Sequence, residues 1–356
     1  MENSKPRTSG NKFKIPKEDF MKRFHKLFCD PHFDPFRKNL EEISEVAWEN
    51  YLEGRKAPST SSAGDGYADP EYELSADWLW AKSEIDKARE EHKKEKTNIL
   101  LISASDRNEF TCPGEISKTS RLADIAKNTL EAEGIEVEHL DLSLMTAEYG
   151  KTIYPCKGCV STAMPLCHFP CSCYPNHSLG QTHDWMNEIY PKWIRAHGVM
   201  IITPVYWHQA PSALKLMMDR LVCADGGNED PTTTQGKKAE LAKEIELKGW
   251  HYPRHLKGRV YSVVVHGDAV GANELKLALT EWLSEMEMIS AGTNANISRY
   301  VGYMESYAES HEALDKDHDF QLEVRNAALT LALATVAERQ GKLQVFEREF
   351  HEPRPK

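Results

Sequence analysis

NILLISASDRNEFTCPGEISKTSRLA, residues 98–123, reads as a strand, a loop and the start of a helix in one run. NILLIS (98–103) is a short apolar stretch of the kind shown by a strand covered on both faces. An amphipathic helix pattern follows from about Thr119 to Glu133, and Gly134 is a suitable C-terminal stop.

The same alternation continues outward. IEVEHLDL (135–142) alternates like a strand, a helix pattern spans 182–196, and VMIIT (199–203) is a second buried-strand candidate. Pro211 sits where proline is tolerated, at the first turn of a helix running SALKLMMDRL. After a polar insert (225–257) come RVYSVVV (259–265), a helix from Asn273 to Met288, a weak strand near 289–297 and a long helix around 320–340. Strands alternating with helices predict an α/β fold with a doubly wound five-stranded parallel sheet. Its expected order is 2-1-3-4-5, with a ligand crevice at the carboxyl ends of the first and third strands.

Residues 1–96 read differently, as a helical extension with amphipathic stretches at Phe20–Phe28 and Leu40–Tyr51 and a helix from Ser75 to Lys94. APSTSSAGDGYADP (57–70) reads as a loop or disordered linker. The expected division is an extension (1–96), a cofactor domain (97–300) and a C-terminal helix and tail (301–356).

Hydrophobic residues make up 40% and charged residues 28% of the 356, an ordinary globular balance. The net charge of −11 argues against nucleic acid as partner, since phosphate neutralisation needs clustered Lys and Arg. No apolar run reaches the length of a membrane span and no signal core opens the chain, so no membrane role and a cytoplasmic location are expected.

Two loops would build the crevice. The first, 103–123, offers Ser103, Ser105, Arg107, Ser117, Thr119 and Ser120 just before a helix N-terminus, a setting that binds phosphate. It has neither the dinucleotide glycine pattern nor a Walker Lys-Ser/Thr pair, so a single terminal phosphate is the better fit. The same residues also fit a plain helix cap. The second loop, TPVYWHQAPSALK (203–215), places Tyr206 and Trp207 after Pro204 at a strand end. They are suited to cover a flat heteroaromatic ring, or to plug the core. A phosphate site and a planar-ring site at one switch point describe a mononucleotide.

TPVYWHQAPSALKLMMDR (203–220) resembles the second flavin loop of the NADPH-dependent FMN reductase family, within the flavodoxin-like superfamily. SASDR…KTSRLA is similar to that family's phosphate loop, departing at Ala104 and Asp106 and by about nine extra residues before Thr119. HGDAVGA (266–272) looks like its third loop. The resemblance implies a flavodoxin-like fold and FMN as cofactor, with Ser105, Arg107, Thr119 and Ser120 at its phosphate. Pro204, Val205, Tyr206 and Trp207 would lie along the isoalloxazine, and His266, Gly267 and Asp268 would close the third side. It implies NAD(P)H as co-substrate, a small electron acceptor such as a quinone or flavin, and a homo-oligomer. His208 and His266 are the candidates for proton donation, a loop-holding role being the alternative. Lys215 and Asp219–Arg220 match the motif as loop-holding residues.

Five of the eight cysteines fall between Cys156 and Cys173, whereas Cys29, Cys112 and Cys223 read as isolated, inert thiols. Iron–sulfur flavoproteins of the same superfamily carry four cysteines near this place, which makes Cys156, Cys159, Cys167 and Cys171 the candidate metal ligands. Three readings stand: an iron–sulfur cluster, a zinc site, or no metal, with the thiols packing a loop or forming a redox pair. The seven residues between the second and third thiols favour no metal.

The leading expectation is an FMN-dependent NAD(P)H oxidoreductase. An electron-transfer flavoprotein without its own nicotinamide site, relaying through a cysteine-bound cluster, is the alternative. A scaffold that has lost flavin is the third.

Overall fold

The computed structural model describes residues 14–54, 59–112, 114–171, 173 and 184–344. At the start, α1 (Lys17–Lys26) and α2 (Arg37–Glu53) pack on each other through Phe24, Leu40 and Ala47. The stretch expected as a loop or disordered linker is ordered where it is described: β1 (Thr60–Ser62) pairs antiparallel with β2 (Glu73–Ser75). Polar side chains of the 225–257 insert hold the connection between them. Ala68 N–H donates to Asp230 Oδ2 at 2.8 Å and Asp69 N–H to Thr232 Oγ1 at 3.1 Å. α3 (Ala76–Lys94) leads into the main sheet.

That sheet comprises β3 (Asn98–Ser103), β4 (Glu136–Asp141), β5 (Gly198–Pro204), β6 (Val260–Gly267), β7 (Ile289–Ser290) and β8 (Asn296–Tyr300). All pairings are parallel, in the order β4-β3-β5-β6, with β7 and β8 both against the outer side of β6. The single weak strand expected over 289–297 is therefore two pieces. Gly292, at φ 131, interrupts it, and Asn296 Oδ1 then accepts the Val263 N–H at 3.0 Å to restart the pairing.

β3, β5 and β6 are buried at every residue, which is why they read as continuous apolar runs. Their side chains still alternate between two cores. Ile99 and Leu101 join Leu122 and Leu130 of α4 (Lys118–Ala132) and Leu331 of α10 (His318–Arg339). Leu100 and Ile102 join Trp193 of α5 (Met186–Arg195), Met217 of α6 (Ser212–Gly226) and Leu279 of α8 (Ala272–Glu285). Each such side chain contributes about 1.5–3 kcal/mol by leaving water. α3 packs with the second group through Ile85 and Ala88, so helices from both sides of 97–300 cover the sheet.

α7 (Ala239–Leu247) lies in the insert and α9 (Tyr307–Lys316) follows β8. The register places Pro204 beside His266 and Gly267 beside Tyr300. With Ser103 beside Ile202 as well, the loops after β3, β5 and β6 leave from one edge of the sheet.

Candidate functional site

The first loop runs from Ser103 to α4. Ser105 Oγ accepts the Arg107 N–H at 3.1 Å, closing a tight turn. Asp106, one of the departures from the family pattern, accepts hydrogen bonds from the backbone N–H groups of Ser212 and Ala213. It thereby serves as the cap of α6, whose own N-cap residue, Pro211, offers no side-chain acceptor. The extra residues before α4 are held by Asn108, whose Nδ2 donates to Ser143 O at 3.2 Å and Thr146 Oγ1 at 3.1 Å. Ser117 caps α4 by accepting the Ser120 N–H at 3.1 Å.

The second and third loops are stitched to the first. Tyr206 and Gln209 exchange both backbone hydrogen bonds at 2.9 Å around Trp207 and His208, which have φ of 48 and 66. Such a two-residue turn needs positive φ at both central positions. Tyr206 OH lies 3.4 Å from Ser105 Oγ. Val205 N–H donates to His266 O at 2.8 Å, and a Cβ on Gly267 would fall 2.7 Å from Val205 Cγ1, so this approach requires glycine. Gly271, at φ 101, packs against His208, where a Cβ would meet its Cα at 2.5 Å.

Between these loops lies a cleft of about 650 Å3, counting its open mouth. It is lined by Ser105, Arg107, Ser117, Lys118 and Thr119 from the first loop and α4, by Pro204, Val205 and Tyr206 from the second loop, by His266, Gly267 and Asp268 from the third, and by Val301 and Tyr307. Thr119 Oγ1 lies 2.9 Å from His266 Nε2, while His266 Nδ1 is buried and has no hydrogen-bond partner among the described residues. Burial, helped by the Lys118 charge, pushes the His266 pKa down to about 3, so the ring is neutral at ordinary pH. Lys118 is only 6% exposed, and no described carboxylate lies within ion-pair distance of its ammonium. Burial lowers its pKa, and Asp268 and Glu115 act from further off to raise it.

These features fit a flavin mononucleotide. A buried cation lacking a carboxylate, two hydroxyls at a helix N-terminus and a second cation make a phosphate donor set. The bare backbone at Gly267 and the Tyr206 ring suit a flat heterocycle.

The expected residues Ser105, Arg107, Thr119, Pro204, Val205, Tyr206, His266, Gly267 and Asp268 come together here. Ser120 and Trp207 do not line the cleft: Ser120 belongs to the α4 cap, and the turn carries Trp207 outward to 93% exposure. His208 is an exposed turn residue beside Gly271, away from the lining. Arg220 is buried, ion-paired with Asp184 and donating to Tyr154 O at 2.8 Å, so it holds chain segments together. Lys215 pairs with Asp219 along α6.

The quartet Cys156, Cys159, Cys167 and Cys171 lies near together: Cys223 lowers the Cys167 pKa, while burial, Cys171 and Cys159 raise it. It is not a metal-holding set among the described residues. Gly158, at φ 65, turns the C-x-x-C segment so that its two thiols take different partners. Cys156 Sγ lies 3.3 Å from Cys223 Sγ, and Cys159 Sγ 3.3 Å from Cys173 Sγ. Cys167 instead donates to Cys223 O at 3.7 Å. Among the described residues no three His, Cys, Asp or Glu side chains are arranged to hold a metal ion. Cys223 is thus part of the thiol group and not isolated.

A doubly wound parallel sheet with a mononucleotide cleft across its two central loops defines a flavodoxin-like protein. Comparison with known proteins narrows this, because the sequence profile of the NADPH-dependent FMN reductases matches residues 97–301, more than half the chain. The chain belongs to the NADPH-dependent FMN reductase family. Solved structures similar to it include RosB with a bound 8-demethyl-8-formylriboflavin-5'-phosphate intermediate, at 17% identity and TM-score 0.43, covering 73% of this chain and 93% of that one. An oxidoreductase from Corynebacterium diphtheriae is 16% identical, with TM-score 0.37 and coverage of 67% and 97%. The apo form of NADH:FMN oxidoreductase (EMOB) is 15% identical, with TM-score 0.35 and coverage of 67% and 89%. No curated protein matches the sequence. Among the described residues no helix is long and apolar enough to cross a membrane.

Proposed function

We propose that the chain binds FMN in this cleft, takes reducing equivalents from NAD(P)H and passes them to a small acceptor such as a quinone or free flavin. The observation that carries the reading is the make-up of the cleft. It combines the cations Lys118 and Arg107, suited to a phosphate, with the half-exposed Tyr206 ring and the bare backbone at Gly267, suited to a flat heterocycle. Bound FMN would supply hydride acceptance and onward electron transfer.

The protein's share is binding and orientation. Ser105, Ser117 and Thr119 bring hydroxyls to the cleft. His266, kept neutral by burial, is tied to Thr119 and so joins the third loop to the start of α4. Asp106 fixes the second loop by capping α6. The reading extends to a homo-oligomer in which a neighbouring subunit covers the exposed Trp207 at the turn.

The test is the visible spectrum of purified protein under nitrogen, before and after NADH or NADPH. Flavin bands that bleach with either nucleotide support the reductase. A bound flavin that stays oxidised would make the protein a carrier reduced by another protein, and a colourless chain that refuses FMN would sink the reading.

A further inference from the structure

Lys118 and Arg107 are both held on one aromatic ring from outside the family region. The Arg107 guanidinium carbon and Lys118 Nζ each lie 4.0 Å from the centre of the Tyr307 ring. Tyr307 begins α9, past residue 301 where the family match ends. It also lines the cleft together with Val301.

α9 is tied to α4 by the ion pair of Asp315 with Arg121. His311 packs edge-on against Tyr307 at 4.8 Å and steadies the ring from within α9. Burial holds the His311 pKa down, so the 3.5 Å between its Nε2 and Glu115 Oε2 is a close approach without a hydrogen bond. The ring is therefore set beside the first loop by the helix that carries it.

Two like charges sharing one ring repel each other: burial lowers the Lys118 pKa, Asp268 opposes that from across the cleft lining, and Arg107 lowers it further. The π face attracts each cation, but no described carboxylate lies within ion-pair distance of Lys118 to balance it. A dianionic phosphate monoester would supply the counter-charge that Lys118 lacks and attract Arg107 as well, whereas a neutral hydroxyl would supply no charge to either.

We infer that α9 is part of the cofactor site, and that Tyr307 positions Arg107 and Lys118 as a two-cation clamp that selects a ligand ending in a phosphate monoester. The inference rests on the FMN reading and adds the discrimination of FMN from riboflavin. Tyr307 is a positioning residue and Lys118 a binding one.

The test is titration of the full chain with FMN and with riboflavin, followed by quenching of flavin fluorescence. Variants Tyr307→Leu, Tyr307→Phe and Lys118→Met are compared with the unaltered protein. Tyr307→Leu and Lys118→Met should each raise the FMN Kd about tenfold or more, leaving riboflavin within about twofold. Tyr307→Phe keeps the ring and should bind FMN as the unaltered protein does. Equal losses for the two flavins, or no loss for either, would overturn the clamp. Lys118→Met leaves α9 intact, so it stands as the test should Tyr307→Leu fail to fold. An unaltered chain that takes up neither flavin would sink the FMN reading, and the clamp with it.

Discussion

Thr119 Oγ1 and His266 Nε2, 2.9 Å apart, join the first turn of α4 to the end of β6 beneath the cleft. It is the one hydrogen bond the His266 ring makes among the described residues, since Nδ1 has no partner. Thr119→Val keeps the volume but removes this bond, leaving a buried ring with neither nitrogen satisfied. The expected loss is about 1–3 kcal/mol of unfolding free energy, with weaker FMN binding. Urea unfolding measures the first and fluorescence titration the second. An unchanged urea midpoint would show that the bond has no structural weight.

Acid should loosen the fold before the carboxylates titrate. His266 and His197 are both buried, with pKa values pushed down to about 3 and about 4, chiefly by burial. The charge of the stacked His92, 4.4 Å away, also disfavours protonation of His197. In the unfolded chain a histidine titrates near 6.5. Below that pH the unfolded state binds protons that the native state refuses, so this contribution is full above about 6.5. It falls as pH drops toward the folded values, by up to about 1.4 kcal/mol per pH unit for each ring. Urea midpoints at pH 7.5, 6.0 and 5.0 should decline in that order, and His197→Gln should flatten the slope. Equal midpoints would contradict the neutral, buried assignment.

Legibility followed how local each determinant is. The strands at 98–103, 199–203 and 259–265 were readable because burial on both faces leaves an unbroken apolar run. The weak outer strand was readable only as one piece, since its interruption depends on Gly292 and a side chain that bonds β6. Ser105 and Thr119 carried a local signal as hydroxyls before a helix. Lys118, between Ser117 and Thr119, did not, because a lysine there usually points to solvent. Its burial is completed by Tyr307, far along the chain, and nothing near Tyr307 announces a cleft wall. Trp207 lies outside the cleft lining for a reason the aromatic pair does not announce, since positive φ at 207 and 208 sends the second ring outward. Cys223 sits on a helix, and no spacing pattern ties it to Cys156.

The buried pair Arg220–Asp184 makes a prediction about stability alone. Arg220 is fully buried, Asp184 nearly so, and both lie outside the cleft lining. Asp184→Asn leaves the guanidinium without its counter-charge and should lower stability by about 3–5 kcal/mol. The double change Asp184→Leu with Arg220→Met should lose less, because neither charge remains. FMN affinity of the folded Asp184→Asn protein should stay within about twofold. A large loss of affinity at unchanged stability would mean that the pair shapes the cleft directly.

The thiols offer a chemical check on the pairing around Cys156. A disulfide needs about 2.05 Å between sulfurs. Cys156–Cys223 and Cys159–Cys173, each at 3.3 Å, already bring their sulfurs into contact. Cys29 and Cys112 are exposed and sit apart from both pairs. Diamide treatment followed by non-reducing peptide mapping should therefore yield the 156–223 and 159–173 links, with Cys29 and Cys112 still open to alkylation. The rate should be slow at neutral pH: although Cys156 lowers the Cys223 pKa, the Cys167 thiol and burial hold it up near 12, and the Cys223 thiol and burial hold Cys156 higher still. Raising the pH from 7 to 9 increases the thiolate fraction and should speed closure. Cys223→Ser should abolish the first link and leave the second. A dominant 156–159 link would contradict the turn at Gly158, which is what sends those two sulfurs to different partners.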